Sequence, residues 1–119
     1  MRLVVRTTGK VLAQKVEIAD TFWSRFRGLM LRRMFPRGSA LLFELSRPGR
    51  YGVHMFFVRF PIDLLYLNEN FVVVDICRNL KPWRTHRPKV RASCIVELPA
   101  GTVSRARVKL GQKIAQRKA

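Results

Sequence analysis

Acidic residues are scarce in this sequence. Seven Asp and Glu stand against 24 Lys and Arg in 119 residues, a formal net charge of +17. Most of the seven stand alone among apolar or basic neighbours, so a paired-carboxylate enzyme finds little support. Metal-ligating types are scarcer still: two His, at positions 54 and 86, and two Cys, at 77 and 94. A metal site needs three or four ligands at suitable distances. Neither Cys-x-x-Cys nor His-x-x-x-His spacing occurs, so no metal and no cofactor are expected. No Gly-x-Ser-x-Gly elbow and no phosphate-cradling glycine loop is present. The longest apolar run, residues 53–66, falls short of the roughly 20 residues that span a bilayer. The first residues lack a signal-peptide h-region and a small-residue cleavage site. The protein is therefore expected in the cytoplasm, away from membranes, with both thiols reduced.

What is present reads as a globule. The chain is 48% hydrophobic and 26% charged, a balance of ordered rather than disordered proteins. Its length predicts a single domain over 1–119, with a core over about 2–114 and a basic tail at 115–119. Seventeen of the 24 cations are Arg, which forks onto phosphate and stacks on bases, whereas Lys is the cheaper solubiliser. The charge is thus either surface adaptation to a cell's ionic conditions or the mark of a polyanion partner.

Along the chain, residues 2–7 and 10–18 read as strands joined by a hairpin at Gly9. Asp20 or Thr21 then caps a helix whose Ala19, Phe22, Phe26 and Leu29 make one apolar face; Trp23 and Arg27 are spaced to stack on it. Residues 40–45 form a third strand. The run 53–66 predicts two buried strands, about 51–57 and 62–68, with a corner at Arg59-Phe60-Pro61, because Pro61 removes a donor and extends Phe60. Residues 71–78 and 92–98 add strands, and 102–108 a short helix. The fold class expected is α+β, mostly β: a small barrel-like or sandwich fold of about 7–8 short strands with one or two short helices packed on it. In the strand at 71–78, Val72, Val74 and Ile76 are expected to face the core and Cys77 to point out, whereas Cys94 points in. A disulfide is then excluded.

Three polar residues interrupt the central run. Asp63, flanked by Ile62 and Leu64, must face solvent or be paired, since an unpaired buried charge costs several kcal/mol. Arg33 is its first expected partner and His54 its second. The same three residues, Arg33, His54 and Asp63, are the candidates for a catalytic or small-molecule pocket, with Asp63 as base or ligand. A plainer expectation for His54 is a core histidine bonded to a backbone carbonyl.

In order and spacing, Gly28-Leu29-Met30 with Arg33, Leu41-Leu42-Phe43, His54-Met55, Pro61-Ile62-Asp63 and Val96-Glu97-Leu98-Pro99-Ala100-Gly101 through Gly111 carry a family resemblance. The chain, from about Ala19 to Ile114, resembles the domain of unknown function 192 family. Where that family usually has Trp-Met this sequence has His54-Met55, a variant shared with archaeal-looking members, as is the loop Lys81-Pro82-Trp83-Arg84. The family's Asn-Thr pair falls on Phe57-Val58 and its Gly-Asp on Gly111-Gln112, so a role needing that Asn or Asp is not carried over. The resemblance implies a small, mostly β, barrel-like fold and no established activity.

The functional expectation comes from residues 80–91. They hold five cations and no acid, with Trp83 among them, and read as a long exposed loop. Trp83, Arg84, Arg87, Lys89 and Arg91 combine a stacking face with phosphate-binding charges, as single-stranded nucleic-acid sites do. Sequence-tolerant binding of single-stranded RNA or another polyanion is the function expected. The plainer alternative folds Trp83 back over the barrel mouth as a plug.

Overall fold

Residue 62 begins the strand on which the structure, a computed structural model describing residues 1–19 and 29–118, is assembled. Ten strands and one short helix are present among the described residues: β1 (Arg2–Val5), β2 (Val11–Ala13), β3 (Lys15–Ala19), β4 (Ser39–Gly49), β5 (Val53–His54), β6 (Ile62–Leu67), β7 (Val73–Leu80), β8 (Thr85–His86), β9 (Ala92–Pro99), the helix Thr102–Ala106, and β10 (Ile114–Arg117). They form a five-stranded sheet in the order β3-β4-β9-β6-β7, a three-stranded sheet β10-β1-β2, and a two-stranded ribbon β5-β8. Every residue of β6 is buried, because the strand lies between β9 and β7 and both faces of its sheet are covered. That accounts for its unbroken apolar sequence. Pro61, with no donor to offer, sits just before the strand, and Pro99 closes β9 opposite Ile62, both positions where a ladder tolerates proline.

Two cores lie on the two faces of the large sheet. On one, Leu42, Leu65, Leu67, Val96 and Leu98 pack against Leu3, Val5, Leu12 and Ile114 of the small sheet and against Val103 and Ala106 of the helix. On the other, Leu41, Phe43, Leu64, Tyr66 and Ile95 are covered by Leu29, Val53, Met55 and Val58. The arrangement is sandwich-like rather than a closed barrel. Between the two larger sheets Val72 bridges Lys113, Val73 of β7 bonds Gly111 and Gln112, and Ile114 of β10 donates to Phe71 O.

Several expectations change in detail. The strand expected over 10–18 is two strands, since β2 pairs antiparallel with β1 while β3 pairs in parallel with β4 across the sandwich. The strand expected at 51–57 shrinks to Val53–His54. The basic tail begins later than expected: Ala115, Gln116 and Arg117 belong to β10 and pair with Val4, Leu3 and Arg2, which satisfies the edge that β1 otherwise leaves open. The helix expected from Asp20 or Thr21, with its Trp23–Arg27 pair, lies outside the described residues.

The cysteines fall on opposite faces, as expected, by a different register. A bulge between the Tyr66–Asp75 and Leu67–Val73 pairs shifts β7 by one residue. Val73 and Ile76 therefore join the first core, and Val74 and Cys77 the second. Cys94 is buried in the first core and Cys77 half-buried in the second. Burial pushes the Cys94 thiol up to about 12 and raises that of Cys77 as well. Titration of the native protein with a thiol reagent should therefore label Cys77 slowly and leave Cys94 until unfolding. A non-reduced mass two hydrogens light would contradict this geometry.

Candidate functional site

The ribbon β5-β8 presents the most unusual surface. Val53 pairs with His86 and His54 with Thr85. Two further backbone bonds extend the ladder: Met55 N donates to Arg84 O at 2.8 Å, and Trp83 N donates to Met55 O at 2.9 Å. Met55 and Val58 are buried and pin this segment to the second core. Between them the chain turns, Val58 N reaching Met55 O at 3.3 Å. The turn throws Phe56 and Phe57 outward, 43% and 51% exposed.

Trp83 does not fold back as a plug. It remains 58% exposed, its ring edge-on to Phe57 at 5.0 Å between centroids and tilted against Phe56 at 6.0 Å. The His54 ring stacks on Phe56 at 5.1 Å. Leu31, also exposed, borders the cluster and donates its N–H to Phe57 O at 2.8 Å. Leu31, Phe57 and Trp83 all hold left-handed backbone, with φ of 63°, 60° and 66°. Bulky side chains occupy that region at a cost of about 1–2 kcal/mol each. Local strain held in place by surrounding bonds is characteristic of functional surfaces, and contiguous exposed apolar groups mark interaction sites.

Cations frame these rings. Arg84 follows Trp83 directly and is exposed. Arg87 Nε donates to Arg50 O at 3.0 Å while Arg50 Nε donates to Pro88 O at 2.9 Å. The two arginines thus clamp the β4–β5 and β8–β9 connections. The Lys89 backbone N–H donates to Asp75 Oδ2 on β7 at 2.8 Å, and Lys89 and Arg91, just before β9, are both exposed. Beneath the ribbon, His86 Nδ1 shares a 2.9 Å hydrogen bond with the buried Tyr66 hydroxyl. Burial raises the Tyr66 ionisation far above its ordinary value, so the phenol keeps its proton.

The triad expected from sequence is not assembled. Asp63 is 1% exposed, but its partners are backbone amides and not Arg33 or His54. Oδ1 accepts from Asn79 N at 2.9 Å, and Oδ2 accepts from Gly101 N at 3.1 Å and Val103 N at 2.9 Å. The carboxylate meets β7 at a second irregularity, between the Ile62–Leu80 and Leu64–Cys77 pairs, and on its other side holds the turn into the short helix. Three charge-assisted bonds answer the desolvation that an ion pair was expected to answer. Arg33 is exposed, and so is His54, whose Nδ1 accepts from Phe56 N at 3.3 Å. His54 is thus neither a core histidine nor a partner of Asp63; it belongs to the aromatic surface.

Two features escaped the sequence. Phe56 and Phe57 look like strand interior until the turn after Met55 is seen. Glu97 looks like a solvent-facing residue of an alternating strand, yet it is buried, level with Leu41 and Leu64 on the second face of the sheet. Burial pushes its carboxyl up to about 8 against the pull of nearby Arg32. Arg32 itself forks onto Glu17 at the surface, Nη1 to Oε1 at 3.1 Å and Nη2 to Oε2 at 2.8 Å. That pair holds the Glu17 carboxyl below its ordinary value. Among the described residues no group of three or more His, Cys, Asp or Glu is placed to hold a metal. No described helix is long and apolar enough to cross a membrane.

Known proteins resemble this chain in sequence or in architecture. A UPF0127 protein of Pyrococcus furiosus is 42% identical over 110 residues, covering 91% of this chain and 91% of its own length. A UPF0127 protein of Thermococcus sibiricus is 40% identical over 114 residues, covering 94% of this chain and 72% of its own. Among solved structures, a candidate transcription regulator from Sinorhizobium meliloti 1021 superposes with a TM-score of 0.84 at 26% identity, over 96% of this chain and 89% of that one. A protein of unknown function from Novosphingobium aromaticivorans gives a TM-score of 0.85 at 20% identity, over 97% and 82%, and shares the fold. The DUF192 family model, described as Uncharacterized ACR, matches residues 3–116, and the chain belongs to that family.

Proposed function

We propose that this protein binds single-stranded RNA in the cytoplasm with little sequence preference, through the aromatic surface of the β5-β8 ribbon. The observation that carries this is Trp83, more than half exposed and packed against two exposed phenylalanines beside Arg84. Flat, solvent-facing rings supply stacking for any base, and flanking cations supply phosphate contacts; single-strand binders combine these two features. The net charge of +17 adds the long-range attraction. The S. meliloti fold relative, described as a candidate transcription regulator, is compatible with a nucleic-acid role. A pocket formed by Arg33, His54 and Asp63 is not favoured, because both Asp63 oxygens are engaged by backbone amides.

The test is fluorescence anisotropy with a labelled single-stranded RNA of about 12 nucleotides. Micromolar affinity is expected, with log K falling against log salt at a slope of roughly −3 to −4 if four to six phosphates are neutralised. Trp83→Ala should cost about 1–3 kcal/mol while leaving that slope nearly unchanged, and Phe57→Ala should act the same way. Arg84→Ala should instead flatten the slope by about one contact. Salt-insensitive binding, or none at about 50 mM salt, would sink the proposal.

A further inference from the structure

A cleft of about 510 Å³ opens between β2, the turn preceding β4 and the short helix. Lys10, Arg37 and Arg105 line it, and among the described residues no acid does. Among the described residues, none of the three is ion-paired. Like charges gathered around one concavity repel one another, and an anion seated among them relieves that repulsion.

Arg105 folds back over the turn that precedes its helix. Gly101, at a left-handed φ of 93°, leaves the room that Nη1 takes, 2.7 Å from where a Cβ would lie, and Nη2 lies 3.5 Å from Thr102 Oγ1. Across the cleft, Gly38 takes a φ of 87°, and its carbonyl receives the N–H groups of Gln14 and Lys15 at 2.8 and 2.9 Å. These bonds tie the turn carrying Arg37 to the end of β2. The helix carrying Arg105 meets β2 through the shared core of Leu12, Ala13, Val103 and Ala106. Val11, an exposed apolar residue, supplies a wall beside them. The volume suits a small organic ligand, for which pockets run from roughly 300 to 1,000 Å³.

We infer that this cleft binds a small phosphorylated organic anion of at least two negative charges, its phosphates among Lys10, Arg37 and Arg105 and its body against Val11. The site shares no residue with the Trp83 surface, so it stands or falls separately from RNA binding.

The experiment is a titration of the intact protein with fructose 1,6-bisphosphate, a probe with two phosphates and no base to stack on Trp83, followed through backbone amide shifts. Saturable shifts confined to Gln14, Gly38, Thr102 and their neighbours are expected, with a dissociation constant on the order of 0.1 mM. Lys10→Ala, Arg37→Ala and Arg105→Ala should each weaken the probe about tenfold, since charge-assisted contacts to phosphate are the strong ones. Should Arg105→Ala fail to fold, the other two variants, which change exposed side chains, still decide the matter. Shifts spread over the whole basic surface, affinity indifferent to Lys10→Ala and Arg37→Ala, or no saturation at millimolar probe would each overturn the assignment.

Discussion

Asp63→Ala should lower stability by about 3–5 kcal/mol, because it strands three N–H groups that the carboxylate now receives. A domain of this size commands about 5–15 kcal/mol in all, so the variant should populate unfolded chain at moderate temperature. Asp63→Asn is the gentler test. Its amide oxygen serves one side of the residue, and its NH2 then points at a donor on the other. The cost should be about 2–4 kcal/mol, which corresponds to roughly 10 °C or more in melting temperature. The contrast with Arg33 matters most. Arg33 is exposed, and Arg33→Ala should leave the melt within about 0.5 kcal/mol of the parent. Equal losses from Asp63→Asn and Arg33→Ala would restore the ion pair and discard the backbone cage.

Glu97→Gln should do the opposite, and only above mildly acidic pH. The Glu97 carboxyl is raised from its ordinary 4.5 to about 8, chiefly by burial. Between those values the folded protein holds a proton that the unfolded chain has released. Stability is therefore greatest at low pH and declines as pH climbs through the window toward 8. With 1.36 kcal/mol for each unit, the shift from 4.5 to about 8 bounds the decline at about 5 kcal/mol. Glutamine has the same shape and no proton to lose, so Glu97→Gln should match the parent near pH 4.5 and exceed it at pH 8 and above. Glu17 does not confuse the measurement. Its carboxyl is lowered by Arg32, so its contribution is lost below the ordinary carboxylate range, outside this window. Denaturant midpoints of both proteins from pH 4 to 9 provide the check; parallel curves would mean that Glu97 keeps its charge when folded.

Some of this was legible in the residues. The hairpin at Gly9 is a local event: Gly9 accepts a φ of 75° and donates to Val5 O at 2.8 Å, so turn chemistry alone announces it. The helix at 102–106 and the strands at β6 and β9 follow likewise from nearby pattern. Trp83 and Arg84 stood out because aromatic and basic residues without an acid are visible in one dimension. Phe56 and Phe57 did not, because apolar side chains inside an apolar run announce burial. Only the pinning of Met55 and Val58 into the second core, with Trp83 N bonded to Met55 O, leaves the two rings between them outside.

The sequence by itself determined the family, through the order and spacing of its motifs, and the β-rich class and the charge, which depend on composition and short-range alternation. Tertiary structure decided who meets whom. Asp63 had to be satisfied, and the residues beside it could not show that the answer lay 16 and 40 positions away in the amides of Asn79 and Val103. The burial of Glu97 was equally out of reach. A strand that alternates reads as one face in and one face out, and whether the outer face is covered depends on segments packed from elsewhere in the chain. The cleft of Lys10, Arg37 and Arg105 belongs to the same class. Long-range strand pairing sets those distances, and pairing is fixed by the joint burial of both cores, which no single stretch of sequence contains.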